Sequence, residues 1–133
     1  MATRIKEKAA ARQANADKRP RASVKNVRIS PYKVRTVLDI IRGKSYREAV
    51  AILHNTQKSA SAEILCLLNS AAANAENNLG MNKDDLYVAT CYADQGSTLK
   101  RIRARAKGSA SRILKRTSNI TVILDQVNAE AKE

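Results

Sequence analysis

The sequence contains no tryptophan and no phenylalanine, and four tyrosines are its only aromatic residues. The core must therefore be aliphatic and rich in alanine. Stacking of bases on an aromatic platform is not expected in the basic segment described below, which has no tyrosine. Cys66 and Cys91 both lie in apolar-periodic segments, so we predict two small buried side chains in a reducing compartment rather than a disulfide. With His54 as the only histidine and no close cysteine pair, we expect no metal site and no cofactor.

Long apolar runs and catalytic motifs are missing as well. No run is long enough to cross a membrane, and the N-terminus lacks the apolar segment of a secretory signal, which predicts an intracellular protein. A glycine-rich phosphate loop, a nucleophile elbow and a carboxylate pair in a pocket-like segment are all absent. We therefore expect neither an enzyme nor a small-molecule substrate.

Acidic residues are absent between Asp94 and Asp125, and this stretch is the most informative part of the chain. It carries eight cations, more than a folded core could hold: Lys100, Arg101, Arg103, Arg105, Lys107, Arg112, Lys115 and Arg116. From residue 101 to residue 107 basic side chains alternate with apolar or small ones, the period of a strand, which predicts one cationic face. Gly108 readily takes a positive φ, so the chain is predicted to fold back there as a hairpin over residues 95–118, here called the basic hairpin.

The net charge of +13 is concentrated in two regions. Residues 1–30 carry nine cations and two carboxylates, residues 96–124 carry eight cations and no carboxylate, and residues 31–95 are neutral overall. Such clustering indicates a nucleic-acid partner or an anionic membrane surface, and the membrane is disfavoured because the hairpin lacks a bulky apolar face. An extended chain from residue 95 to residue 108 would span about 43 Å, so the hairpin is predicted to project from a domain whose radius of gyration is about 14 Å.

Capping signals and periodicity predict the remaining elements. A first helix begins at Pro31 behind the N-cap Ser30, a second follows the capping box of Ser45 and Glu48, and the longest runs from residue 56 or 57 to 79. Strands are predicted over 22–29, 85–93 and 119–124, and the last two are expected to pair.

These elements predict an α+β fold, with a small three-helix domain packed on a three-stranded antiparallel sheet and a long protruding β-hairpin. Residues 1–21 form a basic N-terminal extension, expected on its own to be disordered or a frayed helix. Residues 22–125 form a single globular domain that includes the basic hairpin, and residues 126–133 form a C-terminal tail.

Three stretches carry a family resemblance. They are VRISPYKVRTVLDIIRGK at 27–44, SAAANAENN at 70–78 and GSTLKRIRARAKGSASRILKRTSNITVIL at 96–124. The chain resembles the bacterial large-ribosomal-subunit protein twenty-two family, in the same order and over nearly all of residues 22–125. The most specific feature is a basic hairpin that ends in KRTS before an aliphatic strand.

The resemblance implies a cytoplasmic structural constituent of the large ribosomal subunit without catalytic activity. It implies that the protein binds and organises large-subunit (23S) rRNA during assembly. It also implies that the hairpin lines the peptide exit tunnel, near the nascent polypeptide and neighbouring subunit proteins, including protein four at the constriction. The implied RNA-binding residues are the eight hairpin cations together with Ser30, Lys33, Arg35 and Arg42, and Lys25 and Arg28 complete the set. The expected tunnel-lining tip is Ile102, Arg103, Ala104, Arg105, Ala106, Lys107 and Gly108.

Some assignments stay open at this point. From the residues alone, Lys33, Arg35 and Arg42 are explained equally well as a solvated helix face or as RNA contacts. The alternative function is a DNA-architectural protein with a basic β-ribbon arm. Two positions depart from the family, because Ala104 stands where a proline is common and Asn119 where a histidine often precedes the final strand. The first 21 residues exceed the short family members, so the resemblance implies nothing for them.

Overall fold

The structure, a computed structural model that describes Ala2–Gln126, combines α-helices with antiparallel strands, which confirms the α+β class. In chain order the elements are α1 (Ala2–Ala14), β1 (Arg21–Val27), α2 (Pro31–Ile41), α3 (Tyr46–Asn55), α4 (Ser59–Leu79), β2 (Leu86–Gln95), β3 (Leu99–Ala104), β4 (Ala110–Lys115) and β5 (Ser118–Gln126). Short 3₁₀ turns cover Lys83–Asp85 and Ala106–Gly108. The three predicted helices correspond to α2, α3 and α4.

Local sequence signals set the starts of α2 and α3. Pro31 is at the first position of α2, where its missing N–H costs no hydrogen bond. The Ser30 side chain makes no capping bond there. Ser45 and Glu48 form the predicted capping box, with the Glu48 N–H donating to Ser45 Oγ over 3.3 Å.

The longest helix begins later than the sequence predicts. α4 starts at Ser59, because Thr56 caps the C-terminus of α3 and is hydrogen-bonded to that helix. The Thr56 N–H and the Thr56 Oγ1 hydroxyl both donate to the Ile52 carbonyl, over 3.0 and 2.7 Å. Gly80 ends α4 as predicted, in the left-handed conformation with a φ of 65°.

The three-stranded sheet has the order β1-β5-β2, so β5 is central and β2 is an edge strand. The predicted pairing of β2 with β5 is confirmed and extends to Gln95 opposite Ser118. On the other side of β5, Arg21 lies opposite Ile123 and Val27 lies opposite Ser118. The sheet therefore has two distinct ends. The basic hairpin leaves from the Ser118 end, and the N-terminal extension enters β1 at the Ile123 end.

An aliphatic core lies between this sheet and the helices α2, α3 and α4. The predicted apolar stripes of α2 and α4 are buried together with alternate residues of β2 and β5. The main members are Val34, Val37, Leu38, Ile41, Ile64, Leu67, Leu68, Ala71, Ala75, Leu86, Val88, Ile120, Val122 and Leu124. Apolar burial of this kind is the dominant stabilising contribution to a fold of this size.

One cysteine differs from its prediction. Cys91 is buried in β2, and burial raises the pKa of its thiol. Cys66 is exposed, which corrects the prediction of two buried cysteines. It lies two residues from both Ile64 and Leu68, a rotation of about 200° around α4, so it faces away from the core.

The N-terminal extension contains α1, and the exposure described for residues 3–14 shows no buried side chain. The predicted C-terminal tail lies outside the described residues except for Gln126. Among the helices of residues 2–126, none has the length and apolarity that crossing a membrane requires.

Candidate nucleic-acid interface

β3 and β4 form the two strands of the basic hairpin and pair with each other in a sheet of their own. Their antiparallel register, from Leu99 opposite Lys115 to Ala104 opposite Ala110, confirms the predicted fold-back. Every residue from 100 to 116 is exposed. Both faces of this ribbon are therefore accessible to a partner.

The prediction of one cationic face is wrong. Arg101 lies opposite Ile113, and Ile102 lies opposite Arg112. Residues directly opposite each other project to the same face, so each face combines charged and apolar side chains. The cations of the paired strands are divided between the faces, with Arg101, Arg103 and Lys115 on one and Lys100 and Arg112 on the other. The alternation within β3 could not show this, because it depends on the register with β4.

The tip of the hairpin is the loop from Arg105 to Ser109. The Arg105 N–H donates to the Ser109 carbonyl over 2.9 Å, and the Ser109 N–H and Oγ hydroxyl both donate to the Ala106 carbonyl. Gly108 takes the predicted positive φ, 72°, and Lys107 takes one as well, 57°. Such a φ is uncommon for a residue with a Cβ. The hydrogen bonds of the loop therefore hold two cations, Arg105 and Lys107, at the exposed turn.

A buried joint connects the basic hairpin to the three-stranded sheet. The Gly96 N–H donates to the Thr117 carbonyl over 2.9 Å, and the Thr117 hydroxyl donates to the Ser97 carbonyl over 2.6 Å. Thr117 and Ser118 are 3% and 0% exposed. A Cβ on Gly96 would overlap Thr117 Oγ1, so any other residue there would force Thr117 or the nearby backbone to shift. The joint fixes the place where both hairpin strands leave the sheet.

The hairpin cations have little to neutralise them within the chain. None of the eight takes part in an ion pair with another described residue. The apolar side chains of Ile102, Ile113 and Leu114 are exposed among them, Ile102 at 78%. An isolated two-stranded hairpin is marginal in water, and clustered like charges repel. The arrangement therefore suits an anionic partner that also covers apolar groups.

Four of the predicted residues outside the hairpin lie near its base. Lys25 and Arg28 are exposed and flank Val27, which lies opposite Ser118 at the hairpin end of the sheet. Ser30 and Lys33 follow in the first turn of α2, where the Ser30 carbonyl accepts from the Lys33 N–H. The structure thus brings these four residues to the end of the domain from which the hairpin leaves.

Arg35 and Arg42 have a structural role that the sequence analysis did not consider. Arg35 Nε and Nη2 both donate to the Ala93 carbonyl, over 2.9 and 2.7 Å. Arg42 Nη2 donates to the Cys91 carbonyl over 3.2 Å, and its Nη1 pairs with Asp39 at 2.9 Å. Carbonyls on the outer side of an edge strand need donors from outside the sheet. The two arginines of α2 therefore supply donors to two carbonyls of β2, those of Cys91 and Ala93.

Two further residues have roles that the sequence analysis did not assign. Tyr32 is 82% exposed beside Lys33, and an exposed aromatic ring next to a cation can stack on a base. The sequence could have indicated this exposure, because Tyr32 lies two residues before the buried Val34. That spacing is a rotation of about 200° around the helix, which turns the ring away from the core. Asn119 accepts from the Asn26 N–H over 2.9 Å and so supports the bulge of β1, where Asn26 has a φ of 60°.

Known proteins resemble this chain over most of its length. The family described as ribosomal protein L22p/L17e matches residues 22–125. The chain is 58% identical over 106 residues to the large ribosomal subunit protein uL22 of Acetivibrio thermocellus, covering 80% of this chain and 85% of the relative. It is 54% identical over 106 residues to the protein of that name from Clostridium beijerinckii, covering 80% and 96%. With the one from Staphylococcus aureus it shares 53% identity over 113 residues, covering 85% and 97%.

The family match includes β1 to β5, and with them the basic hairpin, and it begins after α1. The relatives are structural proteins of the ribosome and not enzymes, in agreement with the missing catalytic motifs. The chain belongs to the ribosomal protein L22p/L17e family, a family of structural proteins of the large ribosomal subunit.

Proposed function

We propose that this chain binds 23S rRNA and helps to organise it during assembly of the large subunit, with its basic hairpin lining the peptide exit tunnel. The observation that carries the proposal is the hairpin itself, which exposes eight cations without a carboxylate between Asp94 and Asp125. Its tip, residues 102–108, faces the tunnel and the nascent polypeptide beside protein four of the subunit. The division into an extension over 1–21, an rRNA-binding domain over 22–125 and a tail over 126–133 belongs to the same proposal.

The chemistry of the hairpin favours RNA phosphates. Five of its eight cations are arginines, whose planar guanidinium groups bind phosphate oxygens through two parallel hydrogen bonds. Because cations lie on both faces of the paired strands, the hairpin can contact RNA on two sides at once. The same partner covers the exposed apolar side chains and so supplies the order that an isolated hairpin lacks.

Projection from the domain is part of the proposal, and it is supported by the exposure of every residue from 100 to 116. The four residues near the hairpin base, Lys25, Arg28, Ser30 and Lys33, extend the RNA-binding surface onto the domain. Arg35 and Arg42 remain in the proposed set. They combine an RNA contact with their hydrogen bonds to β2.

The salt dependence of rRNA binding tests the hairpin. If about six of its cations contact phosphates, the slope of log affinity against log salt concentration lies near −4 to −5. Changing Arg101, Arg103 and Arg105 to Gln should make the slope shallower by about 2 to 3. The control, K44Q/R47Q/K83Q, removes the same formal charge from another surface, where Arg47 pairs with Asp84 and Lys83 pairs with Glu76, and should change the slope less. Equal slopes for the two variants would contradict the proposal.

Photo-crosslinking tests the position in the tunnel. A photo-reactive residue in place of Lys107 should crosslink to a labelled nascent chain in stalled ribosomes, whereas one in place of Lys44 should not. Absence of the Lys107 crosslink would remove the tunnel assignment and leave the rRNA assignment untouched.

The affinity for duplex DNA tests the alternative function. An affinity for duplex DNA equal to that for rRNA would favour the DNA-architectural protein.

A further inference from the structure

α1 carries a second group of unneutralised cations, outside the family match. Arg4, Lys8 and Arg12 follow each other at intervals of four residues and form one stripe along the helix, with about 6 Å between successive members. All three are exposed, and none is in an ion pair with another residue of the part of the chain that the structure describes. The stripe is therefore available to an anionic partner.

α1 also lacks the packing that would hold a helix in place. It has 13 residues, and a helix of that length is marginal in water without tertiary contacts. The exposure described for its side chains shows none that is buried, and Ile5 is 70% exposed. A helix with this composition becomes stable when a partner covers it, and its charge selects a polyanion over an apolar surface.

The connection from α1 to the domain is fixed at the end of the sheet opposite to the basic hairpin. The Leu124 N–H donates to the Pro20 carbonyl over 2.9 Å, and the Arg19 guanidinium lies 3.9 Å from the Asp125 carboxylate of β5. Six residue steps of β5 separate Leu124 from Ser118 at the hairpin base, a distance of about 20 Å. The two cationic elements therefore leave the domain from opposite ends.

We propose that α1 is a second RNA-binding arm, whose Arg4–Lys8–Arg12 stripe binds the phosphates of an RNA segment other than the one bound by the basic hairpin. The domain then acts as a spacer that holds two RNA segments about 20 Å or more apart. This inference rests on the proposed binding of rRNA, and it adds a site that the family match does not include.

Hydrogen exchange on the full chain, with and without a large-subunit rRNA transcript and with excess tRNA as competitor, tests the proposal. The transcript should protect the amides of residues 2–14 and those of the hairpin. In R4Q/K8Q/R12Q the protection of α1 should be lost, that of the hairpin should remain, and the salt slope should become shallower by about 2 to 3. Exchanging Lys8 with Ala10, as K8A/A10K, keeps the net charge but breaks the stripe, and should reduce protection of α1.

The outcomes separate this inference from the proposed function. Protection of the hairpin without protection of α1 overturns the second arm and leaves the proposed function standing, whereas no protection of either element overturns both. If R4Q/K8Q/R12Q and the control K44Q/R47Q/K83Q have equal salt slopes of rRNA binding, the stripe contributes no more than any other surface charge. That result would overturn the proposal of a second RNA-binding arm. Protection of α1 only in the assembled subunit, and not by the transcript, would overturn the RNA arm.

Discussion

β4 and β5 follow each other in the chain, and both are antiparallel strands, but their surroundings differ completely. Along β5 every second residue from Ser118 to Leu124 is buried, whereas all six residues of β4 are exposed. Pairing with a neighbouring strand is thus sufficient to define a strand, and the stability of the strand depends on what covers its faces. Helices cover β5, and for β4 the described chain offers no cover. The domain can therefore be stable by itself, while the hairpin depends on a partner.

The largest expected effect on the free energy of unfolding comes from changing an isoleucine to alanine, when the same change is made in each of the two regions. Ile120 in β5 is 0% exposed and Ile102 in β3 is 78% exposed. Changing Ile120 to Ala should lower the free energy of unfolding by about 2 to 5 kcal/mol, because it removes apolar contacts and leaves a cavity. Changing Ile102 to Ala should alter it by less than about 0.5 kcal/mol. Urea denaturation of both variants gives the comparison, and similar losses would mean that the hairpin packs on the domain.

The joint between the two regions should show the next largest effect. In Gly96→Ala the new Cβ meets Thr117 Oγ1, so the joint must open or shift, at a cost of about 1 to 3 kcal/mol in the free energy of unfolding. Ser97→Ala leaves the accepting carbonyl in place and should behave like the wild type. Denaturation midpoints measure both changes. A neutral Gly96→Ala would show that the joint is flexible enough to accept a side chain.

Sequence reasoning succeeded where the structural cause is local and failed where it lies elsewhere in the chain. The stripe of Val34 and Leu38, and the capping box of α3, depend on residues within one or two turns. The faces of the hairpin depend on the register between β3 and β4, and the roles of Arg35 and Arg42 depend on β2 being an edge strand. None of these relations can be read from the spacing of residues within a single segment.

Substitutions of Arg35 and Arg103 compare the effects on stability and rRNA affinity of losing a basic residue of the domain and one of the hairpin. Arg35→Gln removes two donors from the Ala93 carbonyl and should cost about 1 kcal/mol of stability, with a modest effect on rRNA affinity. Arg103→Gln should leave stability within about 0.5 kcal/mol and weaken binding to rRNA. Thermal unfolding and filter binding on the same preparations separate the two roles. A destabilised Arg103→Gln would be inconsistent with an exposed hairpin cation.

The smallest expected effect concerns Asp17, at the end of the sheet from which α1 leaves. Hydrogen bonds from Arg19 lower the pKa of its carboxyl from 3.8 to about 2. The folded state therefore binds this proton less readily than the unfolded state, so the stabilisation is complete above pH 3.8 and is lost as the pH falls towards 2. Asp17→Asn should be slightly less stable than the wild type near neutral pH, and the difference should disappear on acidification. Because the Asp17–Arg19 pair is exposed, added salt should also reduce the stability difference between Asp17→Asn and the wild type.

Urea denaturation across this pH range measures the difference, and Arg19→Gln provides the partner variant. If Asp17→Asn and Arg19→Gln lose stability additively in the double variant, or if the Asp17→Asn difference stays constant down to pH 2, the Asp17–Arg19 pair does not stabilise the fold.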